Sequence, residues 1–477
     1  HPDEKSFYFC GRSSLKDFSY CKLHLLYAYQ PKGKKEDAVE KEFQDSLAKV
    51  GSGQQFFDNV SGAVLDPDLV RQARQEEREG VYNHKLFTKV PIKQCYERTG
   101  AGPIKTRWVD INKGDTLNPD VRCRWVGQEF NSKNARWEEG LFAATPPLEA
   151  KKTLISRAAS QMGIPKRKWK KLGFIDIRKA YFHAPVSREM YVVLPPEFLE
   201  PGEEGMCGLL HFSLYGTRDA ARNWEEHYGN VLIELGFTQG KSSPCIFHHK
   251  RRDIDTVVHG DDFTSLAEEH QLKWLSKALS EKFLIKDRGI MGPDPGDLKE
   301  IRLLNRIIGW EHEGIRFEAD QRHAEIMTKT LQLDHANGVD TPGTNAAKTS
   351  EEEEEDEELP HNEIKPYRGC AARCNFLGLD RPDIQYAAKE VSRAMAKPYQ
   401  SNVKALKRMG RYLQKYPRAV FMYKFQAPQT HIRVYSDTNW AGCIKTRKST
   451  QGGIVMYGQH CVKTWSSTQA IISLSSG

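Results

Sequence analysis

Asp255-Thr-Val-Val-His-Gly-Asp-Asp-Phe-Thr-Ser-Leu266 is the stretch that decides the fold of this chain. Apolar residues flank His259-Gly260-Asp261-Asp262, which predicts two short strands around a tight turn holding two adjacent carboxylates. Upstream, Phe174-Ile175-Asp176-Ile177 is a short, mostly apolar run of buried-strand type that carries one further acid. An ionised Asp in such a strand is costly to bury without a partner. With the hairpin beside that strand, the acids converge at one end of a sheet. Oxygen-only clusters of this kind suit magnesium. Two such ions ~3.5–4 Å apart activate a hydroxyl and stabilise a leaving oxyanion. Taken singly, each feature has an ordinary reading: Gly-Asp-Asp is common turn chemistry, and a strand Asp pairs with an Arg.

Helical periodicity surrounds these strands. Trp224, Tyr228, Val231 and Leu235 form one stripe closed by Gly236, and Leu272, Leu275, Leu279 and Phe283 form another. Ile384, Ala388, Val391 and Met395 line a third helix, with Pro382 near its start, and Val403, Leu406 and Leu413 line a fourth. The chain then turns to β at 431–436, 453–457 and 460–465, the last two joined at Gly458-Gln459.

Read in order, Asp176-Ile-Arg-Lys-Ala-Tyr181-Phe, Leu214-Tyr215-Gly216 leading to Trp224, and His259-Gly-Asp-Asp262 resemble the successive motifs of reverse transcriptases, specifically the copia-type LTR retrotransposon Pol polyprotein. Ile104-Lys-Thr-Arg-Trp108 and Val121-Arg-Cys-Arg-Trp-Val126 resemble its fingers segment, and Phe283–Gly289 (FLIKDRG) its Lys-Asp-x-Gly stretch. Tyr367-Arg-Gly and Arg381-Pro-Asp-Ile384 resemble its connection region. Tyr435-Ser-Asp437 with Trp440-Ala-Gly442, Arg447–Thr450 and Trp465-Ser-Ser467 resemble the start of its ribonuclease H domain. The resemblance runs from about Asp66 to the last residue.

It implies an α/β (α+β) multidomain chain: a right-hand polymerase of fingers, palm and thumb over 66–340, an acidic linker at 341–360, a connection region at 361–430 and a truncated ribonuclease H-like domain at 431–477. Residues 1–65 stay unassigned. By motif match, Asp176 and Asp261 ligate both magnesium ions (manganese can substitute), with Asp262 completing the set. Tyr181 is a gate beneath the sugar that excludes a 2′-hydroxyl; from spacing alone a core tyrosine is an equal reading. Arg124 and Arg122 clasp the triphosphate, a task that suits guanidinium forks. Tyr215-Gly216 packs beside nucleotide and template. The implied partners are deoxynucleoside triphosphates, a primed RNA or DNA template, the RNA–DNA hybrid and other polyprotein products.

The chain departs from the family pattern at three places. His259 replaces a Tyr, and Gly260 replaces an apolar residue, making the hairpin more pliable. Arg218-Asp219-Ala220-Ala221-Arg222 stands in place of Lys-Gln-x-Pro-Arg, and Asp219 adds negative charge near the expected template path. Asp437 matches the first metal-binding acid of the ribonuclease H domain, and the chain stops at Ser475-Ser476-Gly477, just before the next family carboxylate. No RNA cleavage is therefore expected, and Trp440 and Trp465 are expected to be exposed.

A basic body with an acidic insert suits a polyanion partner such as nucleic acid, and from charge alone a plain solubility feature is an equal reading. The 477 residues are 39% hydrophobic, enough for real cores, and no run reaches a membrane span. Glu351–Glu358 holds eight of the 63 acids; the remaining 55 face 71 Lys and Arg. Thr341–Pro360 reads as a solvated linker. The ten cysteines show no disulfide framework or zinc spacing, and there is no secretory signal, integrase triad or protease Asp-Ser/Thr-Gly motif. An intracellular protein is expected, and family membership implies cytoplasmic particles with later nuclear delivery. Two rival readings remain at this level: an inactive nucleic-acid-binding relic and a template-independent nucleotidyl transferase.

Overall fold

The computed structural model describes residues 55–115, 118–130, 143–344, 356–443 and 446–472. The expectations for residues 1–54, for most of the acidic run and for Ser475–Gly477 lie outside the described residues. The chain divides into two compact units, one built from 1–144 and 179–230, the other from 145–178 and 231–477.

In the first unit, Asp66 caps the helix Pro67–Asn83 by accepting from the Asp68 and Leu69 amides, and proline at the first helical position suits its fixed φ. Strands Thr106–Asn112 and Val121–Gly127 form an antiparallel hairpin. Strands Phe87–Pro91, Met206–Leu210 and Tyr191–Val193 form a small sheet with Met206–Leu210 in the middle. Their shared core is aromatic and dense: Trp125, Phe182 and Phe198 are essentially fully buried beside Leu86 and Val192. The predicted stripe appears as the helix Ala220–Glu234, which the division between the units cuts after Asn230; Trp224, Tyr228 and Val231 are buried, and Leu235 lies past its end.

The second unit holds a six-stranded antiparallel sheet. Lys170–Ile177 lies between Asp262–Glu268 and Ile285–Met291; Ile254–His259, Ile246–His249 and Thr238–Gln239 continue beyond the hairpin. Side-chain alternation sorts the central strand into two faces. Leu172 and Phe174 join a core with Leu154, Ile155 and Ala158 of the helix Leu148–Ala158. Gly173 faces the helix Glu269–Ser280, where an added Cβ would come within 3.1 Å of Leu272. This fold therefore has a sheet with a helix on each side, and Asp176 falls on the Leu148–Ala158 face.

A second sheet aligns Glu300–Leu303, Arg306–Trp310, Gly314–Glu318 and Val420–Lys424. Helices Arg322–Thr330, His361–Leu377, Gln385–Arg393 and Gln400–Lys415 bury Met327, Tyr367, Cys374, Leu406 and Met409 together. The described end of the expected linker is docked rather than solvated. Asp356 accepts from the Ser401 amide and hydroxyl at 3.0 and 2.6 Å, and Leu359 is buried. Capping orphan amides at a helix start stabilises that placement.

Strands Ile432–Asn439, Thr450–Tyr457 and His460–Thr468 form the last sheet. Its edge strand exposes Ile432, Val434 and Tyr435, and Trp440 is exposed as expected. Trp465 is only partly exposed, because its ring lies against Gly453, where any Cβ would collide with it.

Candidate active site

The register of the six-stranded sheet sets the acids. Asp262 stands directly opposite Asp176 on the neighbouring strand, and Lys286 flanks Asp176 on the other side. His259 pairs with Asp262, so Gly260-Asp261 is a two-residue hairpin turn, and the Ile177 amide donates to the Asp261 carbonyl at 2.9 Å. Gly260 takes φ +65°, which a leading turn position of this kind demands of glycine. That backbone requirement, rather than pliability, accounts for the glycine.

Electrostatics mark the same spot. Burial and the neighbouring Asp261 charge raise the Asp176 carboxyl above the usual range. Burial and Asp261 raise Asp262 likewise, opposed by Lys151 and Arg288. Arg288 reaches Asp262 Oδ1 at 3.5 Å while donating to the Arg302 carbonyl at 2.6 Å. Burial, then Lys151 and Arg306, press His259 down to about 4, so this imidazole is neutral at physiological pH.

Three cations were not singled out from sequence: Lys151, Arg288 and Arg306. Lys151 is 6% exposed, its Nζ has no hydrogen-bond partner, and burial lowers it to about 8. As one half of a Lys-Lys pair it reads like a surface residue, and only the closeness of its helix to the sheet makes it internal. Arg306 is buried and ion-paired with Asp380 at 2.7 Å.

Among the described residues, two groups bring three ligand-type atoms within 4.8 Å: His248–Asp253–Asp255 and Glu269–Asp294–Asp297. Asp176, Asp261 and Asp262 are not a third such group. Both groups are occupied by the protein's own cations. Lys171 Nζ lies 2.7, 2.7 and 2.8 Å from Glu269, Asp294 and Asp297, and Lys170 and Arg157 bind Asp253 and Asp255. The Lys171 ammonium holds Glu269 down to about 2.

The residues expected to contact the nucleotide gather in the first unit. The Arg124 guanidinium lies 4.9 Å from the Tyr215 ring centre, and the Tyr181 ring stands 4.7 Å from that of Tyr215. Gly216 adopts φ +84°, and an added Cβ would sit 2.1 Å from the Gly127 carbonyl oxygen. The Gly127 amide also donates to the Tyr215 carbonyl at 2.7 Å, locking the turn to the strand end. Arg122 shares the outer face of its strand with Arg124, but it is ion-paired with Asp120 at 3.0 Å.

Asp219 differs from the expectation of a free charge. It is 3% exposed, with Arg188 and the Ser187 hydroxyl both 3.1 Å from Oδ2. A buried carboxylate requires such a partner. Asp437 stands apart on the exposed edge strand, opposite Gly452, and accepts from the Thr438 amide.

The model of the reverse transcriptase (RNA-dependent DNA polymerase) family matches residues 96–342, more than half of the chain. The chain belongs to the reverse transcriptase family. Its relatives are Pol polyproteins of copia-type retrotransposons. This reverse transcriptase chain is 27% identical over 368 residues to the retrovirus-related Pol polyprotein from transposon RE2 of Arabidopsis thaliana, covering 73% of this chain and 24% of that protein. It is 24% identical over 421 residues to the polyprotein from transposon TNT 1-94 of Nicotiana tabacum, covering 86% of this chain and 30% of that protein. The chain thus spans about a quarter of the length of the curated relatives it matches. Among solved structures it is similar to the foamy viral protease-reverse transcriptase in complex with dsDNA, with TM-score 0.44 and 11% identity, covering 94% of this chain and 80% of that chain.

Proposed function

We propose that this chain catalyses RNA-directed DNA synthesis, adding deoxynucleotides to a primer 3′-hydroxyl through metal-binding acids Asp176, Asp261 and Asp262. The observation that carries the reading is the cross-strand pair of Asp176 and Asp262 with Asp261 in the adjoining turn. The donor set fits magnesium: it is all oxygen, and the two paired carboxyls are raised by burial and by Asp261, a repulsion that a divalent cation relieves. When bound, the metal supplies charge neutralisation at the reacting phosphate and lowers the pKa of the attacking hydroxyl.

The chain's own residues supply position. Asp176 and Asp261 offer carboxylate oxygens from a strand end and the tight turn beside it, and their side chains would draw together around a bound cation. Arg288 orients Asp262 from the next strand but one. By motif match, Arg124 would offer a planar fork to a triphosphate, and Tyr181 and Tyr215-Gly216, which gather with it in the same unit, would border the sugar and the template. The primer oxygen bonds to the α-phosphorus as the bond to pyrophosphate breaks.

Primer extension on polyriboadenylate with oligodeoxythymidylate and magnesium tests this, with Asp261→Asn in parallel. Magnesium-dependent synthesis reduced at least ~100-fold by the substitution is expected. Folded wild-type protein that binds the primer–template and makes no product would be a nucleic-acid-binding relic, and the proposal would fall.

A further inference from the structure

The pole of the six-stranded sheet opposite the acids is basic. Lys170 stands six residues before Asp176 on the central strand, about 20 Å away at ~3.3 Å per residue. Just before it, Lys166-Arg167-Lys168 form an exposed 3-10 turn. The turn joining Ile246–His249 to Ile254–His259 exposes Lys250 and Arg251 at the same pole, where Lys170 Nζ contacts Asp253 at 2.7 Å. Among the local acids, Asp253 pairs with Lys170, Asp255 with Arg157 and His248, and Glu269 with Lys171 and Lys273, while Glu268 stands opposite Lys170 with His270 at 3.7 Å. Lys166, Arg167, Lys168, Lys250 and Arg251 form no ion pair among the described residues, so five unneutralised cations share one surface.

Two features decide what such a surface fits. Along the chain, Pro165-Lys-Arg-Lys-Trp-Lys-Lys171 has the pattern of a linear basic recognition peptide, which a partner protein would bind extended. The fold withdraws half of it. Lys171 is buried among three carboxylates, Lys170 is ion-paired, and Trp169 is 9% exposed with its ring 5.3 Å from that of Phe425. Among the described residues this pole carries no open aromatic platform, since Arg252 covers Trp274 at 3.7 Å. Single strands are gripped largely by base stacking on exposed rings, whereas a duplex keeps its bases stacked inside and is held without such rings through its backbone phosphates.

We infer that Lys166, Arg167, Lys168, Lys250 and Arg251 form a second nucleic-acid contact, which binds the phosphate backbone of a duplex about 20 Å from the acids at the other end of the sheet. The contact is sequence-independent and is separate from the polymerase chemistry.

The test is fluorescence anisotropy of the full chain with a labelled 30-base-pair DNA duplex, in EDTA and without nucleotides, from 50 to 200 mM KCl. The variants are Lys166→Gln/Arg167→Gln/Lys168→Gln and Lys250→Gln/Arg251→Gln. All five side chains are exposed, and unchanged thermal unfolding confirms folding. Each lost phosphate contact lowers the slope of log affinity against log salt by ~0.9, so the triple variant should lose about 2–3 and the double variant about 1–2. Over that salt range the wild type then loses about 40-fold more affinity than the triple variant. Extension of a short, saturating primer–template hairpin stays within about twofold. An unchanged slope in both variants overturns the inference. Equal losses with polyglutamate as the probe would assign the surface to an acidic protein and also overturn it. Because no synthesis is read in the binding assay, failure of the polymerase reading would show separately, as wild-type protein that makes no product.

Discussion

Lys151→Met should make this protein more stable. The Lys151 ammonium is buried, donates to no hydrogen-bond acceptor, and is brought by burial from its ordinary 10.5 to about 8. That displacement, at ~1.4 kcal/mol per pH unit, corresponds to roughly 3 kcal/mol. Below pH 8 the folded and unfolded chains both hold the proton, and the folded state bears the whole cost. Between pH 8 and 10.5 the folded chain releases it while the unfolded chain keeps it, so stability rises with pH. Above 10.5 the cost is gone. Methionine has comparable length without the charge, so at pH 7 the variant should gain about 2–3 kcal/mol, and the gap should close as the pH approaches 10. Hydrogen exchange of the Lys170–Ile177 amides in metal-free buffer reads the second unit directly. Comparing wild type with variant cancels the other lysines, cysteines and tyrosines that titrate in this range. A variant less stable than wild type at pH 7, or a gap constant from pH 7 to 10, would refute the assignment of Lys151 as an unpaired internal charge.

Two further outcomes follow from the first unit. Gly216→Ala places a side chain at φ +84° and a Cβ 2.1 Å from the Gly127 carbonyl oxygen. The backbone strain alone costs ~1–2 kcal/mol, so protection of the Val121–Gly127 amides should fall by at least ~2 kcal/mol, and unchanged protection would sink the argument. Tyr181→Ala removes the ring beside Tyr215. Incorporation of ribonucleotides relative to deoxynucleotides should rise roughly ten- to a hundredfold, and an unaltered ratio would return Tyr181 to a packing role.

Much of the sheet and its acids was legible from local pattern. The run Phe174–Ile177, the hairpin around Asp261-Asp262, the stripe from Trp224 and the three C-terminal strands all appear where periodicity puts them, because burial of alternate or i, i+4 side chains is a local property. The family motifs, read in chain order, join the three acids into one set. Charge behaved differently. Asp219 reads as a free surface acid until Arg188 closes on it, and Lys151 reads as a solvated lysine until its helix meets the sheet.

The amino-acid sequence by itself determined the family and several of the strands and helices, and it singled out the three acids proposed as metal ligands. Tertiary structure alone decided the environment of each ionisable group: that Asp262 faces Asp176 in register and is held by Arg288, that His259 is neutral, and that Lys171 is consumed by three carboxylates while Lys166–Lys168 stay open. The physical reason is range. Periodicity acts between residues a few positions apart, whereas desolvation and Coulomb terms depend on neighbours brought together from distant parts of the chain.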